Sequence, residues 1–225
     1  DLGIECPMEE LPIIQRRIVK ACVKSGRPVI VATHMLESMI TNPLPTRAEI
    51  TDVANAVYEQ ADAIMLSGET SVGSYPLKCV EIFDRVARRI ERSGGAGFAR
   101  EAQVSGTRQK TVSAAVNLAT PLPRAKLLVV TFAGTMAHFV SHLRPLHAPI
   151  HAFSPDERVC RQMSLLYGVQ AHRMGFRPEP DKNVFAAEEA LLLKGLVESG
   201  DHLVVVTDIV EGDRRHESVQ LRTVP

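Results

Sequence analysis

Two short apolar runs end in clusters of hydroxyl and carboxylate side chains. Residues 29–32 run into Thr33 and His34, and residues 63–66 run into Ser67-Gly68-Glu69-Thr70. With Asp1 at the head of the chain, these clusters supply carboxylate and hydroxyl oxygens of the kind that hold a hard cation such as Mg²⁺ and an oxyanion substrate. The same residue types also cap helices and close turns, so spacing alone leaves a structural reading open beside the chemical one.

The elements that must position these residues can be read from periodicity. Residues 29–32 and 63–66 are uniformly apolar, as strands covered on both faces are. Thr51 offers a cap for a helix running to about Gln60, with Val53, Ala54, Val57 and Ala61 on one face, after a turn over 45–49. Thr46 and Glu49 have capping-box spacing and offer an earlier start. Strand, helix and strand make a βαβ unit, whose chemistry sits at the carboxyl ends of its strands. A helix over 8–25 precedes it, with a stripe of Leu11, Ile14, Ile18, Val19 and Cys22, Pro12 near its start and Gly26 as its stop. Pro76 opens a further helix whose apolar face is read as Val80, Phe83, Val86, Ala87 and Ile90.

Ser93-Gly94-Gly95-Ala96-Gly97 marks a domain boundary, with a polar connection to about Lys110. Beyond it, helices over 111–119, 135–142, 156–166 and 183–198 alternate with strands over 126–132, 149–153, 169–174 and 202–208, and a last strand is expected over 218–223. The fold class is therefore α/β, ending in an open, mostly parallel sheet covered on both faces.

Composition excludes several function classes. Lys+Arg of 26 balances Asp+Glu of 26, so no net field favours nucleic acid or an anionic membrane, and neither is expected as a partner. No apolar run is long enough to span a bilayer, and no signal peptide is expected. Cys6, Cys22, Cys79 and Cys160 have neither metal-ligand spacing nor a disulfide framework, which points to a reducing cytoplasm. The chain opens on Asp1 inside a motif, so a piece of a longer protein is expected. His138 and His142 are four apart on one helix face, but no glutamate follows the first and no further ligand lies near, so they read as a structural pair.

The run ATHMLESM, then PTRAE, DVANAV and IMLSGET, opened by Asp1-Leu2-Gly3, closely resembles pyruvate kinase across residues 1–90. The remainder resembles that family's carboxyl-terminal domain more loosely. The resemblance implies that residues 1–92 are the last part of a (β/α)₈ barrel, which needs about 250 residues when complete. Residues 93–110 would be a linker and 111–225 the carboxyl-terminal, regulatory-type α/β domain. It implies phosphoryl transfer from phosphoenolpyruvate to ADP, giving pyruvate and ATP, with Mg²⁺ and K⁺ as cofactors and a homo-tetramer as the assembly. Residue by residue, Asp1 takes the place of a Mg²⁺ ligand beside the substrate, and Thr33 that of a phosphoenolpyruvate contact. Ser67 takes the place of a hydroxyl in the proton relay, with Glu69 as its neighbour. His34 departs from the glutamine common at its position and is given no catalytic role. The family's phosphate-binding arginine, catalytic lysine, K⁺ ligands and second Mg²⁺ carboxylate have no counterpart in the chain, so the chain alone is expected to be inactive.

The resemblance also implies a sugar-phosphate effector pocket at Thr131, Gly134 and Thr135, where a strand meets a helix start and backbone N–H groups attract phosphate. Ala133 stands where the family typically has serine. The loop read over 208–217 offers Arg214 and Arg215 but also Glu211 and Asp213. The alternative function is a truncated, non-catalytic paralogue that binds a phosphometabolite or serves as an assembly module.

Overall fold

The structure is a computed structural model that describes residues 6–211 and 214–225. The chain divides into two compact units, 1–102 and 103–225. Among the described residues no helix is long and apolar enough to cross a membrane.

In the first unit, a 3₁₀ turn (Met8–Glu10) leads into α1 (Leu11–Ser25), with Pro12 in its first turn, where a missing N–H costs least. Gly26 ends it at φ 70°, donating its N–H to the carbonyls of Cys22 and Val23. Strand β1 (Ile30–Ala32), α2 (Arg47–Tyr58), β2 (Ala63–Met65) and α3 (Pro76–Glu91) follow, and β1 pairs with β2 in parallel, Ala32 opposite Met65. This is the expected βαβ unit, with three differences of detail. Helix α2 starts four residues before Thr51, because Thr46 accepts the Glu49 N–H while the Glu49 carboxylate accepts the Thr46 N–H. The Thr51 hydroxyl instead donates to the Arg47 carbonyl at 3.0 Å. The buried face of α3 is Cys79, Ile82 and Phe83, with Val80 turned out, since the helix packs on α2 and on the loop after β2.

The third difference concerns the strands themselves. Val31 and Ile64 point into a core with Val53, Ala56, Ile82 and Phe83. Their neighbours point the other way, leaving Ile30 49% and Met65 44% exposed. Strands whose composition is apolar on both sides are thus covered on one face only within the described residues.

The span 93–110, read as a connection, is divided by the structure. Ala96 donates its N–H to the Tyr58 carbonyl at 2.7 Å, Phe98 and Ala99 pack on the first core, and Glu101 pairs with Lys20 at 2.7 Å. Residues from Gly106 onward are helical. The division falls at 102/103.

The second unit carries α4 (Gly106–Ala119), β3 (Ala125–Val130), α5 (Thr135–His142), β4 (Ile150–Ser154), α6 (Glu157–Met163), β5 (Val169–Arg173), α7 (Pro180–Leu193), β6 (His202–Glu211) and β7 (Arg214–Thr223). The sheet order is β5-β4-β3-β6-β7, parallel except for β7. Leu127, Val129, Ala152 and Val206 meet α4, α5 and α6 on one face, while Leu128, Val130, Phe153 and Val205 meet α7 on the other. Pro180, well placed in a first helical turn, starts α7 earlier than expected. The loop expected over 208–217 is instead strand pairing that continues through Asp208↔Glu217 to Glu211↔Arg214. Asp213 and Gly212 lie outside the described residues.

Candidate functional site

The parallel register puts the residues after Ala32 and after Met65 side by side at the carboxyl edge of the small sheet. Here the backbone turns sharply. Thr33 and His34 sit consecutively in the left-handed region, at φ 72° and 54°, an arrangement that costs non-glycine residues energy and persists only when the surroundings impose it. The Thr33 side chain is exposed, and its hydroxyl donates to the Ala32 carbonyl at 2.7 Å.

A buried carboxylate anchors the segment that follows the turn. Glu69, 2% exposed, accepts the Leu36 N–H on Oε1 at 3.0 Å and the Ser67 N–H on Oε2 at 2.7 Å, and so ties the loop after β1 to the loop after β2. Burial alone pushes its carboxyl up. The N–H groups of Leu36 and Ser67 and the nearby His34 outweigh that and hold it below the ordinary carboxylate range. A second carboxylate closes the far end of the same loop: Glu49 accepts the Ser38 N–H and hydroxyl at 2.7 and 2.6 Å, and the Thr46 N–H at 2.7 Å. Burial again pushes upward, and the Ser38 and Thr46 donors again bring the group down. In the sequence Glu49 reads only as a helix cap. Its hold on Ser38, eleven residues back, has no local sequence signal.

Thr33, Ser67 and Glu69 therefore lie at one edge of the small sheet, with distinct parts. Thr33 and Ser67 flank the strand ends, and Ser67 precedes the one-turn helix Gly68–Ser71 without capping it through its side chain. Glu69 has both oxygens occupied by backbone donors. Asp1 lies outside the described residues. Among the described residues, no group of three or more His, Cys, Asp or Glu side chains is arranged to hold a metal ion.

In the second unit the three candidate effector residues do not line the cavity beside their loop. Gly134 is the residue before α5, at φ 80°, where a Cβ would approach Met163 and Val159 to 3.2 and 3.3 Å, so close packing of α6 already accounts for a glycine there. The cavity at this end of the sheet, about 330 Å³, is lined by Val130, Phe132, Phe176, Arg177, Asn183 and Thr207 among others, but not by Thr131, Gly134 or Thr135. It opens where the chain, having built β3, β4 and β5 outward, crosses back to place β6 on the other side of β3. Such crevices at the carboxyl ends of strands are where open α/β sheets bind ligands. Phe132 and Phe176 meet edge to face, 4.9 Å between centroids. The Thr207 hydroxyl, in a residue 3% exposed, has no partner among the described residues.

A βαβ unit with hydroxyls at its strand ends, followed by a mostly parallel five-stranded sheet with helices on both faces, defines an α/β protein. The family follows from comparison with known proteins. Residues 1–80 match the model of the pyruvate kinase barrel domain, and residues 109–219 match that of the pyruvate kinase alpha/beta domain. Relatives include pyruvate kinase isozyme G, chloroplastic, of Ricinus communis, 40% identical over 100% of this chain and 54% of that protein. Others are a pyruvate kinase of Agrobacterium vitis (39%, covering 92% and 44%) and one of Geobacillus stearothermophilus (38%, covering 95% and 37%). The chain belongs to the pyruvate kinase family. It spans 37 to 54% of the length of these three relatives.

Proposed function

We propose that this chain is the carboxyl-terminal part of a pyruvate kinase. In the reaction, the bond between the phosphoenolpyruvate oxygen and phosphorus breaks, the phosphorus bonds a terminal oxygen of ADP, and the enolate carbon then takes a proton, giving pyruvate and ATP. The observation that carries this reading is the strained turn at Thr33 and His34, set beside Ser67 by the buried Glu69. Strain kept in place by a dedicated carboxylate is expected where a side chain must be presented to a substrate. Thr33 contacts phosphoenolpyruvate, Ser67 passes the proton towards the enolate carbon, and Glu69 positions both.

The chain does not carry the whole reaction. Mg²⁺ and K⁺ would supply charge neutralisation during transfer. Their ligands are not gathered among the described residues, and Glu69 and Glu49 have spent their oxygens on N–H and O–H donors. Asp1 is the Mg²⁺ ligand proposed from this chain. The cytoplasm is the proposed compartment and a homo-tetramer the proposed assembly of the complete enzyme. The test is a coupled assay of pyruvate formation. The chain is measured alone, then co-folded with the part of the Geobacillus stearothermophilus barrel that it lacks. No turnover alone and turnover in the complex, lost with Thr33→Ala, supports the reading. Turnover by the chain alone, or a complex insensitive to Thr33→Ala, overturns it.

A second reading, a phosphometabolite-binding module, is favoured by the cavity beside Phe132. Arg177 and the Thr207 hydroxyl could receive one anionic group, while Asp208 on the same wall disfavours a second. A sugar monophosphate therefore suits it better than a bisphosphate. Thermal stabilisation by sugar monophosphates, lost with Thr207→Val, would support this module.

A further inference from the structure

The face of the second sheet under α7 should be apolar, and most of it is, but a row of nitrogen groups crosses it. His151 on β4 is 2% exposed, and its Nδ1 lies 3.3 Å from Nε2 of His172 on β5. His172 Nδ1 lies 3.1 Å from Nζ of Lys194, the residue that ends α7, and its ring stacks on Phe153 at 4.8 Å. A lysine ammonium can only donate, so His172 Nδ1 is the bare acceptor. Its proton is then on Nε2, which donates to His151 Nδ1. The row thus has one sense, Lys194 to His172 to His151, and works only while both rings are neutral.

We propose that Lys194, His172 and His151 form a proton-operated latch, which holds the carboxyl-terminal end of α7 on the sheet when both rings are neutral and releases it on acidification. A proton added at His172 Nδ1 removes the acceptor for Lys194 and sets two cations in contact. The groups facing the rings give no relief. From α7 comes Lys194. From β3 comes Lys126, whose ammonium is bound to the buried Asp201, itself also paired with Arg124 at 2.6 Å. The α7 carboxylate Glu188 is turned to Arg222 of β7, and Arg173 beside His172 reaches Glu157 on α6. No described carboxylate bonds either ring. Burial, then the neighbouring cations, hold His172 below the usual histidine range and bring His151 down to about 4. The folded form thus favours the neutral rings, and the latch is whole above the free-histidine range and fails as pH falls below it. Pro180 and Asn183, at the other end of α7, line the cavity beside Phe132, so the latch also bears on how firmly that wall is held.

Amide hydrogen exchange of the full chain, corrected for intrinsic rates, tests this. Protection over 188–193 should fall by about tenfold per pH unit between roughly pH 6.5 and 4.5, while α4, on the opposite face, holds. In His172→Gln the amide still accepts and donates but takes no proton, so protection at neutral pH stays and the acid response drops by at least half. In Lys194→Met, at an exposed position, protection at neutral pH falls toward the acid level and the pH response flattens. An end of α7 with no acid response, one that loosens together with α4, or a Lys194→Met variant with the full response overturns the latch.

Discussion

The two sheets of this chain are built on the same parallel pairing but finished differently. In the second unit, helices lie on both faces of a five-stranded sheet and two buried carboxylates have cationic partners, Asp201 in Lys126 and Arg124, Glu188 in Arg222. In the first, two strands are covered on one face, and the side chains of Ile30 and Met65 meet no layer among the described residues. Yet the carboxyl edge of that small sheet is the more tightly specified, with two buried carboxylates fixing one loop. An element can be precise at its edge and unfinished on its face when it is part of a larger sheet.

The largest effect should come from the second unit. Asp201→Ala leaves the largely buried Lys126 without its counter-charge and should cost about 3–5 kcal/mol in urea unfolding followed by circular dichroism. In the first unit, Glu69→Gln cannot accept both the Leu36 and Ser67 N–H groups, so one buried donor goes unmet, at about 1–3 kcal/mol. The pH dependence follows the same group. Its carboxyl is lower when folded, so its contribution is present above the ordinary carboxylate value of 4.5 and lost as pH falls through the folded value. Glu69→Gln should remove that part of the acid-unfolding slope. Thr46→Ala, which breaks the capping box, should cost about 1 kcal/mol. The smallest effect sharpens the contrast. Met65→Thr, on the open face, should change the stability of the chain alone by no more than about 0.5 kcal/mol. A Met65→Thr cost as large as that of Glu69→Gln would mean that the face is already packed.

Much of this was legible in the sequence, for physical reasons that differ by element. Helix α1 is announced by Pro12 and Gly26, both local signals, although its buried residues are Val19 and Val23, and Ile18 of the expected stripe is 47% exposed; the βαβ order follows from two apolar runs separated by a helical period. The strand-end cluster was visible because Thr33, Ser67 and Glu69 close those runs. What escaped was long-range. Nothing near Glu49 indicates that it reaches Ser38, and the outward turn of Val80 depends on where α2 and the loop after β2 lie. The length of β6 and β7 was missed because charged residues in 208–217 suggest a loop, whereas each strand's pairing partner sustains the other. The Thr131-to-Thr135 loop was legible, but the cavity beside it draws on Phe176, Asn183 and Thr207 from three separate stretches.

The most direct test of the central contrast is amide hydrogen exchange on β1 and β2, before and after co-folding with the missing part of a relative's barrel. Residues 30–32 and 63–65 should gain at least about tenfold protection in the complex while β3 and β6 are unchanged. Strands β1 and β2 as protected alone as in the complex would contradict it, because the first unit would then be complete by itself.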